Sequence, residues 1–463
     1  MHDRWRYRRL VISVLGAWRR HLMIAPALSI GLFACGEKEP TSAESSATQA
    51  VIDPGTPWSR HTIVAGSAAL RGSDGVHLAD INNDGRLDAV SGHEQSHKVT
   101  VSLHPGHAQA EATWQTVVLP GTGNVIGPED AIFADVDGDG RKDVIVGAEG
   151  GNQIVVLFAP TNAALLLTAS AWSRMNLAVG MRAMRIAFAN VAGGPTSRPE
   201  IVVGGKEGST TPATIGYYTL TNTSAPRDEA SWTYTSIRPV GWVMQVFVLD
   251  VEQDGDRDIV YSDRDPINEP NNDGSARGLR WLESSSPTAP IWTDHQIGPL
   301  QANHKWFDLV RWDADNDLDI ADCRSSDAVN EHKLWLNDGG WRSWTEVLIP
   351  EPAGVGQCQH ITFANIDNAG ALDLGITYSH ADGLSGVIWL QNTGTAAAPV
   401  WKRGEISGSA DGDGIKFDNL VWYDVDNDGD LDAVTSEQHE PNPIPPMQGP
   451  GLGVIWYENP LNP

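Results

Sequence analysis

The chain has 463 residues, 41% of them hydrophobic, with 18 tryptophans, three cysteines and a formal net charge of −27. So acidic a surface repels a phosphate backbone and excludes nucleic acid as a partner. Three cysteines exclude a disulfide framework as the main source of stability, and the apolar fraction is enough for a real core.

In chain order, segment 1-35 pairs an arginine-rich start (Arg4, Arg6, Arg8, Arg9, Arg19, Arg20) with an apolar stretch from Leu22 to Ala34, the pattern of an export signal. Leu32-Phe33-Ala34-Cys35-Gly36 resembles a bacterial lipobox, in which Cys35 is lipidated and becomes the mature N-terminus. An ordinary signal with a merely buried cysteine is the other reading. The expected location is the outer membrane or cell surface, with the periplasm or extracellular space as second choice, and membrane contact through a lipid anchor alone. Residues 36-57 shift to Ser, Thr, Ala, Glu and Pro, the composition of a flexible tether.

From 58 to 463 two registers recur. A tryptophan is followed five residues later by an aliphatic residue at Trp58/Ile63, Trp114/Leu119, Trp172/Leu177, Trp232/Ile237, Trp292/Ile297, Trp344/Ile349 and Trp401/Ile406. Acidic, glycine-punctuated loops begin at Asp80, Asp135, Asn190, Asp250, Asp313, Asn365 and Asp424. A period of roughly 50 to 65 residues, each unit holding several short apolar runs, predicts a propeller rather than a helical solenoid. Around Asp135, strand, loop and strand are followed by a third strand at Ile154–Phe158 and a fourth at Trp172–Leu177. Trp58 precedes every acidic loop, and no tryptophan strand follows the loop at Asp424. The N-terminal strand is therefore expected to complete the last blade and remove an open sheet edge. The expected fold is all-β, a seven-bladed β-propeller of four-stranded blades, acting as a monomer.

The loops present oxygen ligands at alternate positions with a glycine at the turn, an arrangement suited to calcium. Four are intact: Asp80, Asn82, Asp84, Asp88; Asp135, Asp137, Asp139, Asp143; Asp250, Glu252, Asp254, Asp258; and Asp424, Asp426, Asp428, Asp432. The loop with Asn365, Asp367 and Asp373 has Ala369 at a ligand position. The one at Asp313 is short by about two residues relative to the seventh, and the one from Asn190 to Glu200 has lost the pattern. Carboxylates making Asx turns without metal are the bland alternative. The run Ala134-Asp-Val-Asp-Gly-Asp-Gly-Arg-Lys-Asp-Val144 and its relatives resemble the FG-GAP/VCBS repeats of integrin α-chain propellers, fungal propeller lectins and bacterial secreted proteins, although no FG…GAP pair occurs cleanly. The resemblance implies a propeller outside the cytoplasm with about four structural Ca2+ ions. It implies no activity. Some polysaccharide lyases and a fungal sugar dehydratase resemble this architecture too, which makes an enzyme admissible.

The face opposite the loops carries the variation. Five residues before each loop start lie Gly75, Asp130, Arg185, Gln245, Asp308, His360 and Asn419, expected to ring the central channel. Ligand-binding candidates there are Asp130, Arg185, Trp242, Gln245, Arg264, Asp308, Arg324, His360, His380 and Asp418, against the alternative of a solvated rim of ion pairs. Cys323 and Cys358 fall on the same face and are a possible disulfide if the protein is exported. The expected function is binding of a glycan or other extracellular ligand. In the first alternative, a polysaccharide lyase or sugar dehydratase cleaves a carbon–oxygen bond of a uronate or related sugar by β-elimination. There Arg185, Lys305 or Lys416 would neutralise the developing charge and His360 or His304 would remove the proton. The second alternative is an adhesion scaffold for an envelope or extracellular protein.

Overall fold

The computed structural model describes residues 55–119, 124–193, 198–208, 212–264, 277–313, 315, 317–326, 328–410, 414–439 and 449–462. The expected export segment with Cys35, and the tether up to residue 54, lie outside the described residues. Seven four-stranded antiparallel sheets follow one another along the chain, six with their strands in sequence order and the last completed by the N-terminal strand. The first strand of each blade is Ser73–Ala79, Pro128–Ala134, Arg182–Ala189, Val243–Leu249, Asp308–Val310, Gln357–Ala364 and Lys416–Tyr423, for blades one to seven. First strands of neighbouring blades touch each other in six of the seven neighbouring pairs, so they line the axis of the ring. Only short 3-10 turns interrupt the β-structure among the described residues, and no helix there is long and apolar enough to cross a membrane.

The last blade is closed by the N-terminal strand Ser59–Ala65, which pairs antiparallel with Gly453–Glu458 from Ser59↔Glu458 to Ala65↔Gly453. The tryptophan register now has a physical meaning. Each tryptophan stands at or just before the start of a fourth strand, and its aliphatic partner is buried in six of the seven blades, Ile237 being half-buried. Trp114 N–H donates to the carbonyl of Ile63 at 3.2 Å, and Trp58 N–H to that of Ile406 at 3.0 Å, so the end of one fourth strand ties to the start of the next. Fully burying one such aliphatic side chain contributes roughly 1.5–3 kcal/mol, and the repeat places one at nearly every blade junction.

Beneath each acidic loop lies a second repeated device. Asp88 accepts the N–H of Ile81 at 3.0 Å and that of His104 at 2.9 Å, joining the loop to the end of the third strand. Asp143, Asp258, Asp319, Asp373 and Asp432 make the same pair of bonds in their blades. In blade three Glu200 takes this place and reaches Val191 N–H at 2.9 Å. A carboxylate satisfying two buried amides is strong and costly to lose.

Candidate functional site

On the loop face the first residue of each intact loop accepts the N–H of the glycine five positions on: Asp80 from Gly85, Asp135 from Gly140, Asp250 from Gly255 and Asp424 from Gly429. Those glycines have φ of 88°, 85°, 99° and 99°, backbone that a side chain would strain. Carboxylate oxygens gather within 4.8 Å of one another in Asp135/Asp137/Asp143, Asp250/Glu252/Asp258 and Asp424/Asp426/Asp432. Asp135 Oδ1, both Glu252 oxygens and Asp428 Oδ2 are buried with no hydrogen-bond partner, so the donor set fits a hard, oxygen-liganded cation. In the first loop Asn82 Nδ2 and an Arg86 guanidinium nitrogen instead hold Asp84 Oδ2, at 3.0 and 2.5 Å. In the second, Arg227 Nε donates to Asp137 Oδ2 at 2.6 Å while Asp139 is exposed, as is Asp254 in the loop of blade four. The shortened fifth loop, which departs from the sequence pattern, still gathers Asp313, Asp315 and Asp317, because alternate spacing through successive Asx turns is kept.

The polar ring on the other face proves to be largely a belt between blades. Asp130 Oδ2 accepts Ile186 N–H at 2.9 Å, His360 Nδ1 accepts Leu420 N–H at 2.9 Å, and Asn419 Oδ1 accepts Val76 N–H at 2.8 Å. Each acceptor serves the residue just after the ring position of the next blade; three unlike side chains do one job. Asp308 serves its neighbour slightly further on, through Thr362 Oγ1 at 2.7 Å and Phe363 N–H at 3.1 Å. Gln245 folds onto the N–H of Val246. Arg185, 5% exposed, donates to the carbonyls of Glu129 and Met244 and lies 4.4 Å over the Trp306 ring. Trp306 also meets His360 edge-on, with ring centroids 5.5 Å apart. Its far edge would lie 3.6 Å from a Cβ placed on Gly75, across the ring in blade one. Trp306 and Arg185 thus floor the channel, and glycine at position 75 leaves room for the indole.

Above that floor lies an arrangement that the sequence does not reveal as a unit, although Asp418 stands among its ligand-binding candidates. One residue before the ring position stand Asp418, Asp74 and Glu129 in consecutive blades seven, one and two, and Met184, Met244 and Phe307 in blades three, four and five. This position is therefore acidic in three consecutive blades and apolar and buried in the next three. Asp74, Glu94 and Glu129 bring carboxylate oxygens within 4.8 Å of one another. Burial first, then the Asp74 and Glu94 carboxylates, holds the Glu129 carboxyl well above its ordinary range. Burial and then Asp74 push Asp418 up to about 8, against the pull of Lys416 at 3.9 Å. Lys206, 3.1 Å from Glu149, is lowered to about 8 by burial, which outweighs the attraction of Glu129. The offset register was the signal: counting six rather than five residues back from each loop exposes the arc.

Of the elimination candidates, Arg185 and His360 meet on Trp306, Lys416 sits beside Asp418, and His304 lies apart. His304 is 1% exposed with Nδ1 2.9 Å from Asp322 Oδ2. Burial, then the neighbouring His77 and Arg185, drives the His360 imidazole down to about 3, so it is neutral and its Nδ1 is committed as an acceptor. Burial would raise the Asp130 carboxyl, but the His77 hydrogen bond at 3.0 Å and Arg185 outweigh it and hold it low. Lys206 Nζ lies 3.7 Å and the Arg264 guanidinium 4.2 Å from the centroid of the Trp242 ring, so the indole is engaged by two cations. Arg324 is paired with Glu331 at 2.7 Å, and His380 lines a shallow groove between blades five and six, of about 420 Å³, with Asn330 and Gln357. Cys323 and Cys358 are bonded, Cα to Cα 6.0 Å, across the same two blades.

Fold and site together define a seven-bladed β-propeller with acidic turn loops on one face and a closed, asymmetrically charged channel mouth on the other. Within it the chain carries an FG-GAP-like repeat, whose family model matches residues 80–146, from the first acidic loop through the second. No curated protein matches the sequence. Among solved structures, the crystal structure of a protein from Lactobacillus plantarum, a Northeast Structural Genomics Consortium target, is similar at 9% identity and a TM-score of 0.43, over 72% of this chain and 85% of that one. At that score the likeness carries no argument, and the fold rests on the strand pairing above.

Proposed function

We propose that this chain is an exported, calcium-stabilised β-propeller that binds a polar extracellular ligand, a glycan foremost, at the channel mouth opposite the acidic loops. The observation that carries the reading is the arc of Asp418, Asp74 and Glu129 above the floor of Trp306 and Arg185. Buried carboxylates with Lys416 and Lys206 close by offer acceptors and donors to sugar hydroxyls at short range, and a closed floor makes a seat rather than a passage. Binding is favoured over elimination on geometry, since a base must reach the proton it removes. Leu420 and Asp322 already engage the two histidines that would serve. The orphaned oxygens of Asp135, Glu252 and Asp428 support calcium in the loops as a stiffener of the turn. The arginine-rich leader and the Cys323–Cys358 bond support export, because disulfides persist in oxidising compartments.

Glycan-array binding tests this directly. The expected result is retention of a defined glycan class that Lys416→Ala or Glu129→Gln weakens by about tenfold, a change of ~1.4 kcal/mol. Uronate polysaccharides should gain no ultraviolet-absorbing unsaturated ends on incubation; if they do, the lyase reading replaces this one. A broad panel that retains nothing would sink the glycan assignment.

A further inference from the structure

Two carboxylates at the mouth are short of direct partners. Asp74 and Glu129 are 5% and 7% exposed, and among the described residues neither accepts a hydrogen bond nor makes an ion pair through its side chain. The cations whose charge reaches Glu129 make their direct bonds elsewhere: Arg185 donates to the Glu129 and Met244 carbonyls and stacks on Trp306, and Lys206 pairs with Glu149, as does Arg182. Leaving two ionised carboxylates so buried and unpaired costs several kcal/mol each. Protons or a cation must offset that cost.

We propose that Asp74, Glu94 and Glu129 form a divalent-cation site at the channel mouth, separate from the acidic loops and suited to a hard ion of the calcium and manganese class. All three offer oxygen, with no histidine or thiolate among them, which selects hard ions over zinc or copper. The backbone is shaped for the arrangement. The ladder of blade one shifts register between Asp74 and His77, and that of blade two between Pro128 and Asp130, leaving Glu129 at the bulge. Bulges re-aim side chains at functional sites. Glu94 arrives from the turn after the second strand of blade one, its Oε2 taking Gln95 Nε2 at 3.0 Å. An ion here would join blade one to blade two. Three monodentate carboxylates also leave positions of a six- to eight-coordinate ion (about the calcium range) open to oxygen from outside. Resting on the binding reading of the same mouth, the ligand class sharpens to glycans that present a carboxylate or adjacent hydroxyls to the ion.

The test is a Mn2+ titration of the full chain after chelator treatment, with free ion counted by electron paramagnetic resonance. Asp74→Asn/Glu129→Gln should bind one ion per chain fewer than the wild type, while Asp426→Asn/Asp428→Asn, altered in a loop, should keep the mouth ion. Equal stoichiometry in the wild type and the mouth variant would overturn the site. Should the mouth variant fail to fold, anomalous diffraction from Mn2+-soaked wild-type crystals decides: a peak between the three carboxylates supports the site, and none overturns it. A glycan retained without any mouth ion would overturn this site and leave the binding reading standing. An ion lost from the variant with glycan retention unchanged supports the site and overturns its part in ligand recognition.

Discussion

Asp319 lies in the loop that departs from the repeat by its shortness, yet it holds Trp312 N–H at 2.9 Å and Asn337 N–H at 2.9 Å like its counterparts in intact loops. A carboxylate that keeps these bonds in a shortened loop, outside its cluster of Asp313, Asp315 and Asp317, serves the fold. Asp319→Ala should therefore lower stability by about 2–4 kcal/mol, two buried amides losing their acceptor, by the same amount with calcium or with chelator in urea denaturation. Asp426→Asn should instead shrink the difference between those two conditions. An Asp319→Ala effect that vanishes in chelator would show the residue to be a metal ligand first. The sequence displayed this residue type and spacing but not its role. Asp88, Asp143, Asp258 and Asp432 read as the last ligands of a cation loop because their amide partners at the third-strand end lie far along the chain, His104 being 16 residues from Asp88. The ring of unlike residues misleads for a related reason: the amides that Asp130 and His360 serve are 56 and 60 residues away, so one shared task looks like divergence.

At the scale of the element, each loop is a turn whose charge opposes its own folding. Burial, with the neighbouring acids adding to it, raises Asp143 and Asp432 from 3.8 to about 8 and Asp258 to about 9. Folded-state values above unfolded ones mean that the folded form binds these protons more tightly. In chelator, stability should thus rise as pH falls from about 9 towards 4 and be lost as pH climbs through 8 to 9. Urea midpoints at pH 6 and pH 9 measure it, and a midpoint that increases with pH in chelator would contradict it. Calcium should flatten the dependence by supplying the opposite charge at every pH. A second element-level tie is the disulfide, which closes a separation of 35 residues between the second strand of blade five and the first strand of blade six. Cys323→Ala/Cys358→Ala should lose about 3–4 kcal/mol by chain-entropy reasoning, read from denaturation curves of the oxidised parent and the variant. The strands themselves were legible from period and alternation. The bulges that turn Glu129 and Arg185 towards the axis were not, because a one-residue register shift leaves no mark in composition.

The whole molecule depends on its closing strand. Removing the residues before Gly66 would bare the edge of Gly453–Glu458, and an open edge pairs with another chain. The truncated protein should elute as larger species than the full chain in size-exclusion chromatography; an unchanged elution would mean that the first and last blades hold the ring without it. Ring order and closure were readable from the offset between the two registers. The occupant of the axis was not, since Trp306 meets Arg185 of blade three, His360 of blade six and the space beside Gly75 of blade one, a meeting that only closure brings about. The aspartate clamps also give the ring a clock in each blade. The amides of Ile81, Val136, Val251, Trp312, Ile366 and Val425, with Val191 in blade three, sit at equivalent places and are each held by one carboxylate. Deuterium exchange at these seven positions reports when each blade opens. A shared rate would mark the propeller as one cooperative unit; a graded series around the circle would locate the seam at which it first comes apart.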